Sequence, residues 1–153
     1  MESTRPTHWI IRVNDGINFS NSIYPFWGVK KRYKSYVKKF KPGDILWFMT
    51  SKPFGGKLIG MSEYTGFYDR NDEPLIQINT YTNKDQNWVG DEDWVIQIHY
   101  TNLYNTSKQE IKACIQHQNA IFNYETYKNK IDGNLYKHYK GFKFYAEPKE
   151  FKI

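Results

Sequence analysis

The sequence contains a single cysteine, Cys114, among its 153 residues. One thiol excludes an internal disulfide and any metal centre built from several cysteines, which predicts a reducing, intracellular setting, with a virion left open for a viral source. No apolar run reaches the roughly 20 residues that a membrane-spanning helix needs, and the first residues lack the apolar core of a secretion signal. We therefore expect a soluble protein that does not act in a membrane.

Catalytic motifs are also missing from the sequence. No Walker loop or dinucleotide-binding glycine motif occurs, and four histidines stand without a second histidine or a cysteine at metal-ligand spacing: His8, His99, His117 and His138. Asp91, Glu92 and Asp93 cluster in a polar segment. One hypothesis is that they act in a metal-dependent enzyme that processes nucleic acids, but a solvated loop is the favoured interpretation. We expect a non-enzymatic protein without a metal or another cofactor.

The sequence is rich in positive charge and in aromatic side chains. Its formal net charge is +6, and Phe, Trp and Tyr make up 18% of the residues, with five Trp among them. Positive charge favours polyanionic partners such as DNA or RNA. Because Tyr and Trp join an apolar ring to a hydrogen-bonding group, the aromatic excess fits either a core or a binding surface.

Hydrophobic patterning predicts one α+β domain over residues 1–153. Strands are expected at 9–13, 44–50, 57–64, 75–79 and 94–100, and the turn-forming residues 51–56 join the second and third into a hairpin. A capping-box pattern at Ser107 and Glu110 predicts a short helix through Ile111 and Ile115. The economical architecture is a curved, mostly antiparallel sheet of about five or six strands with two or three helices, as a monomer or weak dimer.

Residues 29–41 predict an amphipathic helix whose solvent face is strongly basic. Apolar side chains recur at helical spacing until Pro42-Gly43 ends the pattern. The segment holds seven Lys or Arg and no Asp or Glu. Without acidic neighbours, this face is expected to contact phosphate groups, because each neutralised phosphate releases a counterion. The residues predicted to make these contacts are Lys30, Lys31, Arg32, Lys34 and Lys38.

Three tryptophans predict an aromatic site beside the basic helix. Trp27 directly precedes the helix, and Trp88 and Trp94 flank an acidic loop that contains a glycine. Aromatic rings hold an unstacked base with roughly 1–3 kcal/mol per stacked base. Hydrogen bonds from Asn14 and Ser22 are expected to read the edge of such a base.

The pattern resembles the EVE domain of the PUA-like superfamily, over residues 8–104. The resemblance is carried by Trp27-Gly28, by the basic segment that ends in Lys-Pro-Gly-Asp44, and by the strands that follow. The layout is also similar to the YTH domains, which read N6-methyladenosine in RNA. By position, Trp27 matches the cage tryptophan before the first helix, and Trp88 and Trp94 match the loop tryptophans. The resemblance implies a PUA-like pseudo-barrel that recognises a modified base in DNA or RNA.

Two kinds of function remain open alongside the enzyme. The first is a nucleic-acid-binding domain that reads a modified base, methylated or otherwise, in an aromatic cage. The second is a protein-interaction or virion-packing module, in which exposed aromatic side chains contact a partner and the positive charge is incidental. Steep salt dependence is expected of the first and not of the second.

Overall fold

The computed structural model describes residues 6–71, 82–90, 94–105, 111–112, 120–127 and 151. Within these ranges, seven strands form one sheet: β1 (His8–Arg12), β2 (Phe26–Val29), β3 (Ile45–Met49), β4 (Lys57–Asp69), β5 (Ile96–Asn105), β6 (Ile111–Lys112) and β7 (Ile121–Asn123). Three single-turn helices accompany them: α1 (Ile17–Asn21), α2 (Lys34–Val37) and α3 (Tyr124–Tyr127). Two 3-10 turns lie at Lys31–Tyr33 and Lys52–Phe54.

The sheet is mixed, with the strand order β2-β5-β4-β3-β1-β7 and with β6 paired to β4 beyond the end of β5. Its pairs are antiparallel except for β1 and β3, which run parallel. A parallel pair needs a long connection, and here α1, β2 and α2 provide it. Irregularities in the register of β4 bend the sheet, as β-bulges do. The predicted α+β class and mostly antiparallel sheet are confirmed, and in the described ranges the sheet is open between β2 and β7.

Both faces of the sheet bury apolar side chains. In β1, Ile10 and Ile11 point to opposite faces and are both fully buried. Ile11 belongs to the larger cluster, which includes Phe48, whereas Ile10 packs in the smaller cluster with Trp47. Much of the aromatic excess in the sequence is therefore core in the described part of the chain.

The predicted helix at 29–41 is much shorter in the structure. Val29 ends β2 instead of opening a helix, and only the 3-10 turn and α2 are helical. The amides of Tyr33 and Phe40 donate to carbonyls three residues back, so the segment is wound as tight turns. Its apolar side was nevertheless predicted correctly, because Val37 and Phe40 are buried in the larger cluster.

Two other local predictions need correction or lie outside the described residues, and one helix was not predicted. The helix predicted from Ser107 is wrong at Ile111–Lys112, which forms β6 and pairs with Lys57 and Leu58 of β4. The segment after Gly16, for which the sequence predicts no helix or strand, contains α1, whose Phe19 is buried. The strand predicted at 75–79 lies outside the described residues.

Asp44 explains the Pro-Gly-Asp motif at the start of β3. Its buried carboxylate accepts hydrogen bonds from the Trp9 indole at 3.0 Å and from the backbone amides of Thr7 and Lys41 at 3.0 and 2.9 Å. A buried carboxylate is tolerated when donors surround it in this way. Asp44 therefore connects β1 to the turn that precedes β3.

His8 makes the stability of the fold depend on pH. The Trp47 indole donates to its Nδ1 at 2.8 Å, which requires an unprotonated nitrogen. Burial lowers the pKa of His8 from 6.5 to about 4, with partial opposition from Asp44 and Glu125. Because the folded pKa lies below the unfolded one, this stabilisation is complete above pH 6.5 and is lost as the pH falls towards 4.

We expect His8 to account for a loss of roughly 2–3 kcal/mol in the free energy of unfolding across that window. Urea unfolding at a series of pH values checks this. His99, whose pKa burial also lowers to about 4, contributes in the same window. His8→Asn offers Trp47 an acceptor that does not titrate. The curve of free energy of unfolding against pH should therefore be flatter for this variant, by the roughly 2–3 kcal/mol assigned to His8. An equally steep curve for this variant would contradict the assignment.

Candidate nucleic-acid interface

A cavity of about 260 Å³ lies between the end of β1, α1, β2 and the residues that lead into β5. Its residues fall into four groups, which are aromatic (Trp27, Tyr33, Trp94), cationic (Arg12, Lys30, Arg32), polar (Asn14, Asp15, Asn18) and small or aliphatic (Val13, Gly28, Val29, Ala120). The combination of aromatic walls with cations is the one that base-binding sites use.

Trp27 and Trp94 form the aromatic walls, and Gly28, which directly follows Trp27, packs closely against Trp94. A Cβ at Gly28 would lie 2.8 Å from Cγ of Trp94, so only glycine permits the observed position of that side chain. Trp94 is half-buried, whereas Trp27 is only 9% exposed and packs edge-on against Phe19. Replacing Trp27 would therefore disturb the core, and Trp94 is the better position for a binding test.

Trp88 and Ser22 lie behind the cavity and do not line it. The Trp88 ring packs edge-on against Trp27, with the ring centroids 5.1 Å apart, and is itself buried. Its indole donates to Oγ of Ser22 at 2.8 Å, and that hydroxyl donates to the Asn18 carbonyl at 2.9 Å. Both residues were predicted for the base-binding pocket, and the structure places them in the core, where Trp88 packs against the Trp27 wall; direct contact of either with a base stays a prediction.

The turn after β1 brings polar groups to the opposite side of the cavity. Asn14, predicted for this position, lines the cavity with a left-handed backbone (φ 57°) that asparagine tolerates. Asp15 also lines it and accepts a hydrogen bond from the Ile17 amide at 3.0 Å, which fixes the carboxylate. Sequence reasoning missed Asp15, although it directly follows Asn14.

The predicted phosphate-binding residues separate into three environments. Lys30 and Arg32 line the cavity, together with Arg12, which sequence reasoning did not select. Lys31 and Lys38 are exposed but do not line it. Lys34 instead forms an ion pair with the buried Asp69, with a nitrogen-to-oxygen distance of 2.8 Å. That partner comes from β4, which is why the local absence of acidic residues did not reveal it.

Arg32 and Arg12 bring guanidinium groups to the cavity, and that of Arg32 is held against a neighbouring ring. Arg32 lies over the ring of Tyr33 at 4.9 Å and donates to its hydroxyl at 3.1 Å. Burial lowers the pKa of Arg12, yet an arginine in a protein keeps its charge. A guanidinium group held in this way beside an aromatic cavity suits a planar, anionic ligand.

Gln86 attaches the segment 82–90 to the strand that carries Trp27. Its fully buried amide accepts hydrogen bonds from the backbone amides of Ile23 and Tyr24 at 2.9 and 2.6 Å. Its Nε2 donates to the carbonyls of Tyr24 and Phe26 at 2.9 and 3.0 Å. Nothing in the local sequence distinguishes this glutamine from an exposed one, because its partners lie 60 to 63 residues away.

The residues of the enzyme alternative, Asp91, Glu92 and Asp93, lie outside the described residues. Among those that the structure does describe, no group of three or more His, Cys, Asp or Glu side chains is arranged to hold a metal ion. In the same ranges, no helix has both the length and the apolar character needed to cross a membrane.

Comparison with known proteins adds little to this geometry. No protein family matches the sequence, and no curated protein matches it. A solved structure of a hypothetical protein from Leishmania major is similar with a TM-score of 0.38 and 11% sequence identity, over 97% of this chain and 90% of that chain. A likeness of this size supports no conclusion about function.

Proposed function

We propose that the protein binds DNA or RNA and holds one base, methylated or otherwise modified, in the cavity between Trp27 and Trp94. The observation that carries the proposal is the convergence of two tryptophans, a glycine and three cationic side chains on one cavity of about 260 Å³. Small-molecule sites run from roughly 300 to 1,000 Å³. The cavity volume lies just below this range, which suits one planar heterocycle.

Different residues of the cavity suit different contacts with a nucleic acid, namely stacking, hydrogen bonding and phosphate binding. Stacking on Trp94 and contact with Trp27 favour any flat ring, with roughly 1–3 kcal/mol per stacked base. Asn14 and Asp15 offer hydrogen-bonding groups for the edge of the base. A modification such as a methyl group adds only about 1–3 kcal/mol in an apolar pocket, so Lys30 and Arg32 must supply much of the affinity through phosphate contacts.

A protein-interaction module built on exposed aromatic side chains has less support. Phe54 is the only aromatic residue among the exposed large hydrophobic side chains of the described ranges. Trp9, Trp47 and Trp88 are buried and do not line the cavity. Interfaces rely on accessible aromatic anchors, and these three offer little surface to a partner.

The test is fluorescence polarisation with short labelled DNA and RNA strands that carry either ordinary or modified bases. We expect the protein to prefer one modified base by about tenfold or more, and Trp94→Ala to remove that preference while leaving weak, salt-sensitive binding. Exchanging Lys30 and Arg32 together for glutamine should weaken binding to every sequence. It should also reduce the slope of log affinity against log salt by about 1.5.

Lys41→Gln is the matched control, because it removes the same kind of charge outside the cavity while its backbone amide still reaches Asp44. This variant should keep the base preference and most of the salt slope. Equal binding of all bases by the unmodified protein, or full selectivity in Trp94→Ala, would sink the proposal.

A further inference from the structure

Two exposed apolar side chains adjoin the same residue of the cavity wall. Ile17 is 56% exposed and Val89 is 80% exposed. Ile17 precedes Asn18, which lines the cavity, and the Asn18 side chain binds both backbone groups of Val89. Its Nδ2 donates to the Val89 carbonyl at 3.1 Å, and its Oδ1 accepts from the Val89 amide at 2.9 Å. We call Ile17 and Val89 the apolar rim.

The backbone of the apolar rim is anchored on both sides. Val89 follows Trp88, whose buried indole is bonded to Ser22 at 2.8 Å. Ile17 opens α1, where the Asp15 carboxylate accepts its amide proton and Phe19 is buried two residues later. Single apolar residues on a surface need no explanation. A pair held on anchored backbone beside a cavity is different, because little further ordering is required when such side chains make contact.

Charge distinguishes the apolar rim from the rest of the cavity. The cations Lys30 and Arg32 come from the segment after β2, whereas the rim comes from α1 and the segment 82–90. A phosphate backbone is attracted to the cations, and the stacked faces of bases are the part of a nucleic acid that suits apolar side chains. The cations and the apolar rim together suit a nucleic-acid strand in which stacked bases lie next to the base that is bound in the cavity.

A base that leaves a duplex exposes the faces of its former neighbours. Extruding it costs a few kcal/mol of stacking and pairing, and proteins that unstack base steps insert apolar side chains such as isoleucine between them. A single strand has no such gap to fill. An apolar rim therefore has a function in binding a duplex that it lacks in binding an isolated strand.

We propose that the cavity takes its base from a double-stranded nucleic acid and that Ile17 and Val89 enter the gap left in the stack. This inference rests on the proposed function and adds the class of polymer. DNA and RNA duplexes share the chemistry that the rim recognises, so both are included in the test.

The probe is a short duplex, prepared once as DNA and once as RNA, with one mismatched pair and 2-aminopurine beside it, whose fluorescence rises when the neighbouring base unstacks. The same strand without its complement serves as the single-stranded probe. We expect binding to raise the fluorescence of the duplex. Exchanging Ile17 and Val89 together for serine should weaken duplex binding by roughly 100-fold, about tenfold for each buried aliphatic side chain, and should leave single-strand binding within about twofold.

Val89→Ile is the matched control, because it keeps an apolar side chain at the same position and should retain the fluorescence rise. Both positions of the double variant are exposed, so its thermal unfolding should match that of the unmodified protein. Equal weakening on single strands and duplexes, or an unchanged fluorescence rise in the double variant, would overturn the role of the rim and leave base binding intact. Failure of every probe to bind would overturn the proposed function and the inference with it.

Discussion

Gly28→Ala is expected to remove the proposed selective base binding and to lower the free energy of unfolding by roughly 1–3 kcal/mol. A Cβ at this position would lie 2.8 Å from Cγ of Trp94, closer still to its Cβ, and 3.2 Å from Cζ3 of Trp88. The flexible end of a side chain could move aside, but Cβ of Trp94 moves only with its backbone. The Trp94 wall would therefore shift and the cavity would change shape. Urea unfolding and polarisation measurements check both effects.

A control and a compensating change make this prediction specific. Gly66 in β4 has no atom within 4 Å of an added Cβ, so Gly66→Ala should be nearly silent. Trp94→Gly removes the obstructing Cβ, and combining it with Gly28→Ala should cost less than the sum of the two single changes, by about 1 kcal/mol or more. Additive costs, or equal stability of the two alanine variants, would show that Gly28 and Trp94 are not in contact.

Gln86→Glu is expected to be the most destabilising single change, at roughly 4 kcal/mol or more. The amide of Gln86 donates to the carbonyls of Tyr24 and Phe26 and accepts from the amides of Ile23 and Tyr24. A carboxylate keeps the two acceptor positions but turns two donors into a negative oxygen that faces carbonyl groups. The charge would also be fully buried without a cation among these partners. Chemical denaturation at neutral pH measures the loss.

Asn87→Asp provides the comparison for Gln86→Glu. The change in charge is the same, the residue is the next in the chain, and its exposed position has a left-handed backbone that aspartate tolerates. It should shift the free energy of unfolding by less than about 0.5 kcal/mol. If the two variants were equally stable, the buried hydrogen bonds of Gln86 would not be holding the segment 82–90.

The β3–β4 hairpin was readable from the sequence because its signals are local. Five apolar residues, Ile45–Met49, precede a turn rich in glycine and proline, and the returning strand follows directly. The α+β class followed from such segments. By contrast, β2 is short, follows a proline, and pairs with β5 about 70 residues later. No local pattern separates its Val29 from the first residue of a helix.

The cavity was anticipated only in part for the same reason. Chain order and family resemblance selected Trp27, Trp94 and Asn14, and these three line one cavity. Trp88 differs from Trp94 through its hydrogen bond to Ser22, which joins residues 66 positions apart. The pairing of Lys34 with Asp69 spans 35 positions. Such partners are set by the packing of the whole chain, and single-sequence periodicity carries no information about them.

The long connection between the parallel strands β1 and β3 supplies ten of the thirteen residues that line the cavity. Asp44 fastens the two ends of that connection together through Thr7, Trp9 and Lys41. None of these four residues lines the cavity. Closure of the connection thus depends on side chains that do not line the cavity, so exposed lining residues such as Lys30 and Arg32 can be exchanged without loss of the contacts that hold the connection closed.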